Sequence, residues 1–600
     1  MSGAPPAFEA HRLRIELPVA RMRGPFVPGR PPPRGITVVA CLPAVLLLAL
    51  LVVPTSATVV LAVRTSLWPV VGCLIAAAAF VAALEVARRN EPRSLWALPA
   101  LVGVVALGAL YRSDESYARS LGWMAFAAAL LIAAMLLAWW SRHSRGLWLP
   151  LIVPFGISAV VSGVAFRLIF QFSGARLGFD AFPGYRAWFV AMLGSAFLWT
   201  WLGFLIGVFR AGIRALERDP VRWTLLQEKP GAVLFWRLFT LQRPIVLVAG
   251  LVVGVAAARV FDVVLIGVPG SVQYQVDSAT VSWWRLATDP ATAGDAAVYA
   301  LPLAVLVAVV AWALQTDLRD RRAGFPAGAH PGDGRPAAPA GGVAARARTL
   351  VIGALSVAAV IPLVVLAVVA MRGPDGWAAS AFTDVWRDRW LWHSLEATFW
   401  VALLATIIVV AAAAPLAYRL SVAPAGWPAR ATVSALVVLA VLPVQAYLGP
   451  LDMFIDDHGL SGTRVPLVLV HAAAGLPIAV LILRGAVAAP PGSPAADALR
   501  GLAAPGTISR RLLGSAAPAL VAVAVLEFVQ VWNDFIVGLL ISGAGASPWS
   551  LLLWGGARQF GENAAQLAAG SLIAALLPVF LVLATWRRWI VPGLTGGVLR

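Results

Sequence analysis

Charged and amide side chains are scarce inside apolar segments, and those that occur there mark places where chemistry has to be accommodated. Two groups stand out. After Pro518 the chain stays apolar until Glu527, Gln530, Trp532, Asn533 and Asp534. Glu527, Gln530 and Asp534 are spaced i, i+3, i+7, which places them on one helix face over about 10 Å. Glu527 falls roughly 13 Å past Pro518, near the midplane of a spanning helix. Such a face can line a path and hydrogen-bond solute hydroxyls; the other reading is a polar contact between helices. After Pro244 the chain stays apolar until Arg259, Phe261 and Asp262. Arg259 and Asp262 are about one turn apart, so path lining and mutual neutralisation are both open. On continuous helices, Asp262 and Asp534 would lie about 24–27 Å beyond their prolines. Similar polar depth in two places suggests a duplicated unit with one orientation, a layout used around a shared path.

Other polar positions carry less. His471, in an apolar run, reads first as a packed, hydrogen-bonded side chain. Trp199 and Trp201 offer stacking surface, although tryptophan is also common at membrane interfaces. The segment 451–462 holds Asp452, Asp456, Asp457 and His458, and reads as a solvated outer loop rather than a metal site. Cys41 and Cys73 both lie in apolar runs, which supports neither a disulfide framework nor a metal cluster. A phosphate-binding Walker A loop needs Gly-x-x-x-x-Gly-Lys-Ser/Thr. The only lysine, Lys229, precedes Pro230.

The elements that must position these residues are membrane helices. Of 600 residues, 60% are hydrophobic and 12% charged, whereas a soluble domain carries roughly a quarter charged residues. This excludes a cytosolic enzyme, a disordered scaffold and a secreted module. Apolar runs lie near 36–63, 68–87, 95–111, 120–140, 147–170, 187–208, 244–266 and 296–315, then near 349–371, 394–418, 431–447, 464–488, 516–543 and 565–586. The expected fold is an all-α polytopic membrane protein of about 14 transmembrane helices. Residues 1–35 read as a Pro/Arg-rich cytoplasmic tail. Residues 36–115 carry N-terminal helices with an extra pair at 68–111. Residues 116–315 form one unit, 316–348 a cytoplasmic linker and 349–600 a second unit. With both termini in the cytoplasm, Arg and Lys fall inside in roughly threefold excess. The net charge of +18 then reports topology, and no nucleic-acid partner is implied. The densest basic loops are 209–243 and 484–515.

Several segments carry a family resemblance. The stretches HSLEATFWVALLATIIVVAAAAPLAYRL (393–420), GLPIAVLILRG (475–485), VWNDF (531–535) and PGLTGGVLR (592–600) resemble, in order, the second permease of the maltose-type carbohydrate group of binding-protein-dependent ABC importers. The stretches LPLIVPFGISAVVSGVAFRLIF (149–170), FLWTWLGFLIGVF (197–209) and RVFDVVLIGVPG (259–270) are similar to the first permease of that group. With the first helix, the resemblance covers most of 116–600 and implies two type I ABC importer permease domains fused in one chain. It further implies ABC ATPase subunits, two in number, that use ATP-Mg outside this chain. An extracytoplasmic solute-binding protein, membrane lipid around the helices and a bacterial inner-membrane location also follow from it.

In this family each long cytoplasmic loop carries a short helix that docks on the ATPase, with the pattern Glu-Ala-Ala, three residues, Gly. The second loop aligns through Ala496, Asp497, Arg500 and Gly501, with Ala495 where the family has Glu. In the first loop Glu228, Lys229 and Gly231 fall in the corresponding stretch, without a fixed register. The polar positions within the apolar runs are the candidates for the path: Glu527, Gln530, Asn533, Asp534, Asp262 and Arg259. Other functions remain open: a fused permease for iron, thiamine or a polyamine; an ion-coupled secondary transporter using Glu527 or Asp262; and a membrane scaffold that transports nothing.

Overall fold

The computed structural model describes residues 34–89, 115–142, 149–178, 184–217, 226, 232–322, 343–373, 376–422, 427–487, 516–558 and 560–596. Glu228, Lys229, Gly231, Ala496, Asp497, Arg500 and Gly501, and the apolar run at 95–111, lie outside the described residues. Every other apolar run is helical. Among the described residues nine helices are long and apolar enough to cross a membrane, or ten if one bent pair counts as a span.

The helices of the first half are α1 (Arg34–Thr65), α2 (Leu67–Arg89), α3 (Glu115–Trp140), α4 (Ala159–Leu177), α5 (Gly184–Glu217), α6 (Ala232–Ala258), α7 (Asp262–Gly267), α8 (Ala279–Ala287) and α9 (Ala293–Arg322). Those of the second half are α10 (Val343–Ala370), α11 (Ser380–Arg387), α12 (Arg389–Val422), α13 (Trp427–Ala440), α14 (Leu448–Asp457), α15 (Arg464–Val487), α16 (Ala517–Trp532), α17 (Ile536–Ile541), α18 (Trp549–Arg558) and α19 (Phe560–Thr585). α9 and α10 thus run into the proposed linker from both sides.

Four runs that read as single helices are broken, one of them, at 431–447, after Ala440 with a separate turn at Val444–Ala446. The run at 147–170 bends by 117° between Pro150–Gly156 and Ala159–Gly174. Pro154 and the Ser158 cap explain the break: proline donates no backbone hydrogen bond, and the Ser158 hydroxyl accepts from Val161 N at 3.1 Å, opening a new helix. The run at 244–266 is α6, a break at Arg259–Phe261, then α7. Its helix begins at Ala232, so Pro244 sits inside α6 rather than at its start. The run at 516–543 is α16, a break at Asn533–Phe535, then α17; Pro518 does lie in the first turn of α16. Phe261 and Phe535 immediately precede the two six-residue helices α7 and α17. Their rings meet at 6.0 Å between centroids, so the two breaks face each other in the buried interior.

The halves are interlocked. α1 packs against α12 and α15 of the second half, and α10 packs against α4 of the first. The last helix of each half also lies on the broken segment of the other: α19 on Val153–Gly156, and α9 on α13 and the turn Val444–Ala446. Close approach demands glycine here. A Cβ on Gly156 would come 3.1 Å from Val579 Cα and 3.2 Å from Pro578 O. One on Gly203 would overlap the Leu151 carbonyl. Hydrogen bonds across the halves fix the register. Thr58 donates to Ala446 O at 2.7 Å, Trp199 Nε1 to Ala359 O at 2.8 Å, and Gln445 Nε2 to Thr280 Oγ1 at 2.7 Å. These donors are buried in a medium without water, where an unpaired polar group is costly.

Candidate functional site

A cavity of about 420 Å³ lies between the halves, bounded by α5, α6, α15, α16 and the broken segment near Phe155. Arg259, Asp262, Glu527, Gln530, Asn533 and Asp534 all line it. The polar residues singled out from the sequence are therefore brought together, although not by the helix face that their spacing predicts. Glu527 and Gln530 do share a face of α16. Because α16 ends at Trp532, Asn533 and Asp534 belong to the break, and Asp262 starts a separate helix. The depth of 24–27 Å expected from unbroken helices does not apply.

Each break residue has a local duty. Asp534 accepts from Val537 N at 2.9 Å and Gly538 N at 3.3 Å, holding the first turn of α17. Its Oδ2 also lies 3.9 Å from His471 Nε2, so His471 is a packed neighbour of the site. Asn533 Nδ2 donates to Gly156 O at 3.1 Å and ties the second break to the bent segment of the first half. Asp262 occupies the first turn of α7, where the helix dipole favours negative charge. Among the described residues no ion pair joins Arg259 to Asp262, so neutralisation by direct contact is not what the structure builds.

Glu527 is different. It is 4% exposed, and its carboxyl lies so close to Gly475 that a methyl group there would overlap it. Among the described residues neither a hydrogen-bond donor nor a cation reaches it. The Glu527–Gly475 approach, between residues of α16 and α15, left no local signal in the sequence.

The aromatic wall also departs from expectation in one position. Trp201 lines the cavity together with Phe155, Phe197 and Phe204. Trp199 turns away, its indole N–H held by Ala359 O. A larger groove of about 810 Å³ lies between α3, α5 and α10, but it is walled by apolar side chains. Its single charged residue, Arg119, is paired with Glu115 and Asp277. The acidic segment 452–458 forms the end of α14, with His458 Nδ1 2.8 Å from Phe454 O. Among the described residues no three His, Cys, Asp or Glu side chains are grouped to hold a metal.

A helical scaffold of two interlocked halves, with broken helices around a polar central cavity, is the architecture of a membrane transporter. Known proteins narrow the class. The chain is 30% identical over 227 residues to the osmoprotective compounds uptake permease protein GgtD of Synechocystis, covering 36% of this chain and 74% of that one. It is 29% identical over 205 residues to the trehalose transport system permease protein SugB of Mycobacterium tuberculosis, covering 33% and 74%. With the alpha-glucoside transport system permease protein AglG of Rhizobium meliloti it shares 32% identity over 213 residues, covering 33% and 54%. No protein-family model matches the chain. The chain belongs to the permeases of binding-protein-dependent sugar ABC importers. Each relative matches about a third of it, and its 600 residues accommodate two permease units in one polypeptide. Permeases of this family are not themselves enzymes; they work with ATPase and solute-binding partners.

Proposed function

We propose that this chain forms the complete transmembrane path of a carbohydrate importer, with both permease units supplied by one polypeptide. The observation that carries the reading is the cavity between the halves. Helix breaks from both units meet there, and the polar side chains around it suit a hydroxylated solute. The named solutes of its relatives, trehalose and alpha-glucosides among them, support the same class. Solute enters from an extracytoplasmic binding protein and passes between α5, α6, α15 and α16. Two ATPase subunits dock on the stretches 209–243 and 484–515, which include the end of α5, the start of α6 and the end of α15; Glu228, Lys229 and Gly231 in one, and Ala496, Asp497, Arg500 and Gly501 in the other, form the coupling surface. ATP-Mg is bound and hydrolysed in those subunits. Both termini and both loops lie in the cytoplasm, where the positive-inside bias places them. Binding energy that differs between the inward- and outward-facing arrangements is what lets the ATPase drive the switch.

Purification of the tagged full chain from its native membrane tests this. An ATPase subunit is expected to co-purify, and uptake of labelled trehalose or maltose is expected to stop when ATP is depleted. Uptake that persists without ATP while the proton gradient is held, with no ATPase recovered, overturns the reading.

A further inference from the structure

The charge balance of the central cavity identifies a solute class more closely. Its charged lining is Arg259, Asp262, Glu527 and Asp534, three carboxyls against one guanidinium. Two of the carboxyls are accounted for. Asp534 holds the backbone N–H groups of α17, and Asp262 sits in the first turn of α7 within the field of Arg259. Glu527 has no such duty. It is almost fully buried, it presses against Gly475, and no donor or cation among the described residues reaches it.

An ionised carboxyl at this depth without a partner is costly. Water-filled space relieves part of that cost, and a bound cation relieves more. One turn along the same face, Gln530 is exposed to the cavity and can exchange hydrogen bonds with hydroxyls. Trp201 supplies an aromatic surface in the same cavity. An anionic sugar would meet the acidic surplus, whereas a sugar bearing an ammonium group would neutralise it.

Resting on the reading of the cavity as a carbohydrate path, we propose that it is selective for amino sugars, with the protonated amine paired to Glu527 and ring hydroxyls bonded to Gln530. The pair would be charge-assisted, and such bonds are roughly twice as strong as neutral ones. The preference is built into the permease itself and is separate from any choice made by a binding protein.

The test uses the full chain in lipid nanodiscs and two disaccharides of one skeleton. One is the β-1,4-linked glucosamine disaccharide, with free amines; the other is its N,N′-diacetyl form, which carries no charge. Binding is followed at pH 6 by tryptophan fluorescence and calorimetry, with maltose as a third probe. Wild type is expected to bind the free-amine form at least tenfold more tightly than the acetylated form. In Glu527→Gln the ratio should fall to within twofold, with affinity for the acetylated form unchanged. Glu527→Asp, which keeps the charge, should retain a preference. Equal binding of both disaccharides by wild type, or a preference that survives in Glu527→Gln, overturns the proposal while leaving a carbohydrate path intact. Binding of none of the three sugars overturns the amine preference and counts against the carbohydrate path as well.

Discussion

Asp534 separates a scaffold role from a path role, because one substitution removes both and another removes only one. Its carboxyl accepts from Val537 N and Gly538 N at 2.9 and 3.3 Å, and both residues are buried. Asp534→Ala leaves two buried backbone donors without their acceptor. A lost buried partner costs about 1–3 kcal/mol per donor, and water from the adjoining cavity recovers part of it, so ~2–3 kcal/mol is expected in total. Asparagine caps a helix about as well as aspartate, so Asp534→Asn should lie within ~0.5 kcal/mol of wild type. At roughly 2–4 °C per kcal/mol for a unit of 150–250 residues, the alanine variant should melt ~4–12 °C lower in nanodiscs, and the asparagine variant should be nearly unchanged. Uptake measured on the same preparations then reads the charge alone: a stable Asp534→Asn that transports poorly assigns the carboxylate a part in the path. The reasoning is refuted if Asp534→Ala melts with Asp534→Asn, for then the two backbone bonds do not hold α17.

Two glycines on α5 should behave oppositely. Gly203→Ala drives a methyl into the Leu151 carbonyl; backbone cannot rotate away, so ~3 kcal/mol or more of overpacking should appear as lost folded yield. Gly194→Ala meets nothing within 4 Å and should hold or raise the melting temperature, since alanine favours the helix by about 0.5–1 kcal/mol. Trp199→Phe and Thr58→Val each remove one bond between the halves, at 2.8 and 2.7 Å, and should cost about 1 kcal/mol apiece in thermal unfolding. Outside the spans, burial and then the charge of Asp456 push the Asp452 carboxyl up to about 6. A folded-state value above the ordinary 3.8 means that the folded form binds the proton more readily. This group therefore favours folding most below about pH 4, and that contribution is lost as pH rises through 6. Asp452→Asn should flatten the melting profile between pH 4 and 6.5; an unchanged slope assigns it to another group.

Much of the scaffold was legible because helix formation in a membrane is local. A run of about 20 apolar residues must satisfy its own backbone, so each apolar run within the described residues is helical, whole or in two pieces. The breaks were less legible because hydropathy does not fall across them. VPFGIS, RVFDVV and WNDFIV remain apolar on average, and only Pro154 with Ser158, Asp262, and Asn533 with Asp534 hint that the backbone leaves the helix. The i, i+3, i+7 pattern of Glu527, Gln530 and Asp534 picked out residues of one cavity by a face that holds for the first two alone. The exchange of α1 and α10 between halves left no local trace, since Thr58 and Ala446, or Trp199 and Ala359, are brought together only by tertiary packing. For the same reason the seat of Glu527 on Gly475 could not be read from either segment.

The two halves repeat their architecture but not their chemistry, and that asymmetry bears on how a solute is held. Aligning the breaks on Phe261 and Phe535 pairs Arg259 with Asn533 and Val260 with Asp534. The same alignment sets Ala256 against Gln530 and Val253 against Glu527. The helix before the first break thus has apolar residues at the two positions where the second has an amide and a carboxyl; Ala256 lines the cavity, and Val253 is packed in the core. Phe261 and Phe535 still pack together, so the symmetric contact serves the scaffold, while Glu527 and Gln530 of α16 have no polar counterparts on α6. A symmetric pair of weak sites would let a solute bind in two registers. The Glu527–Gln530 face, present on one half only and in one cavity with Phe155, Phe197, Trp201 and Phe204, offers one. Ala256→Gln should therefore lower solute affinity, because Ala256 lines the cavity and the substitution restores on α6 the amide counterpart of Gln530. Unaltered affinity in that variant, at wild-type stability, would remove the asymmetry from the account of recognition.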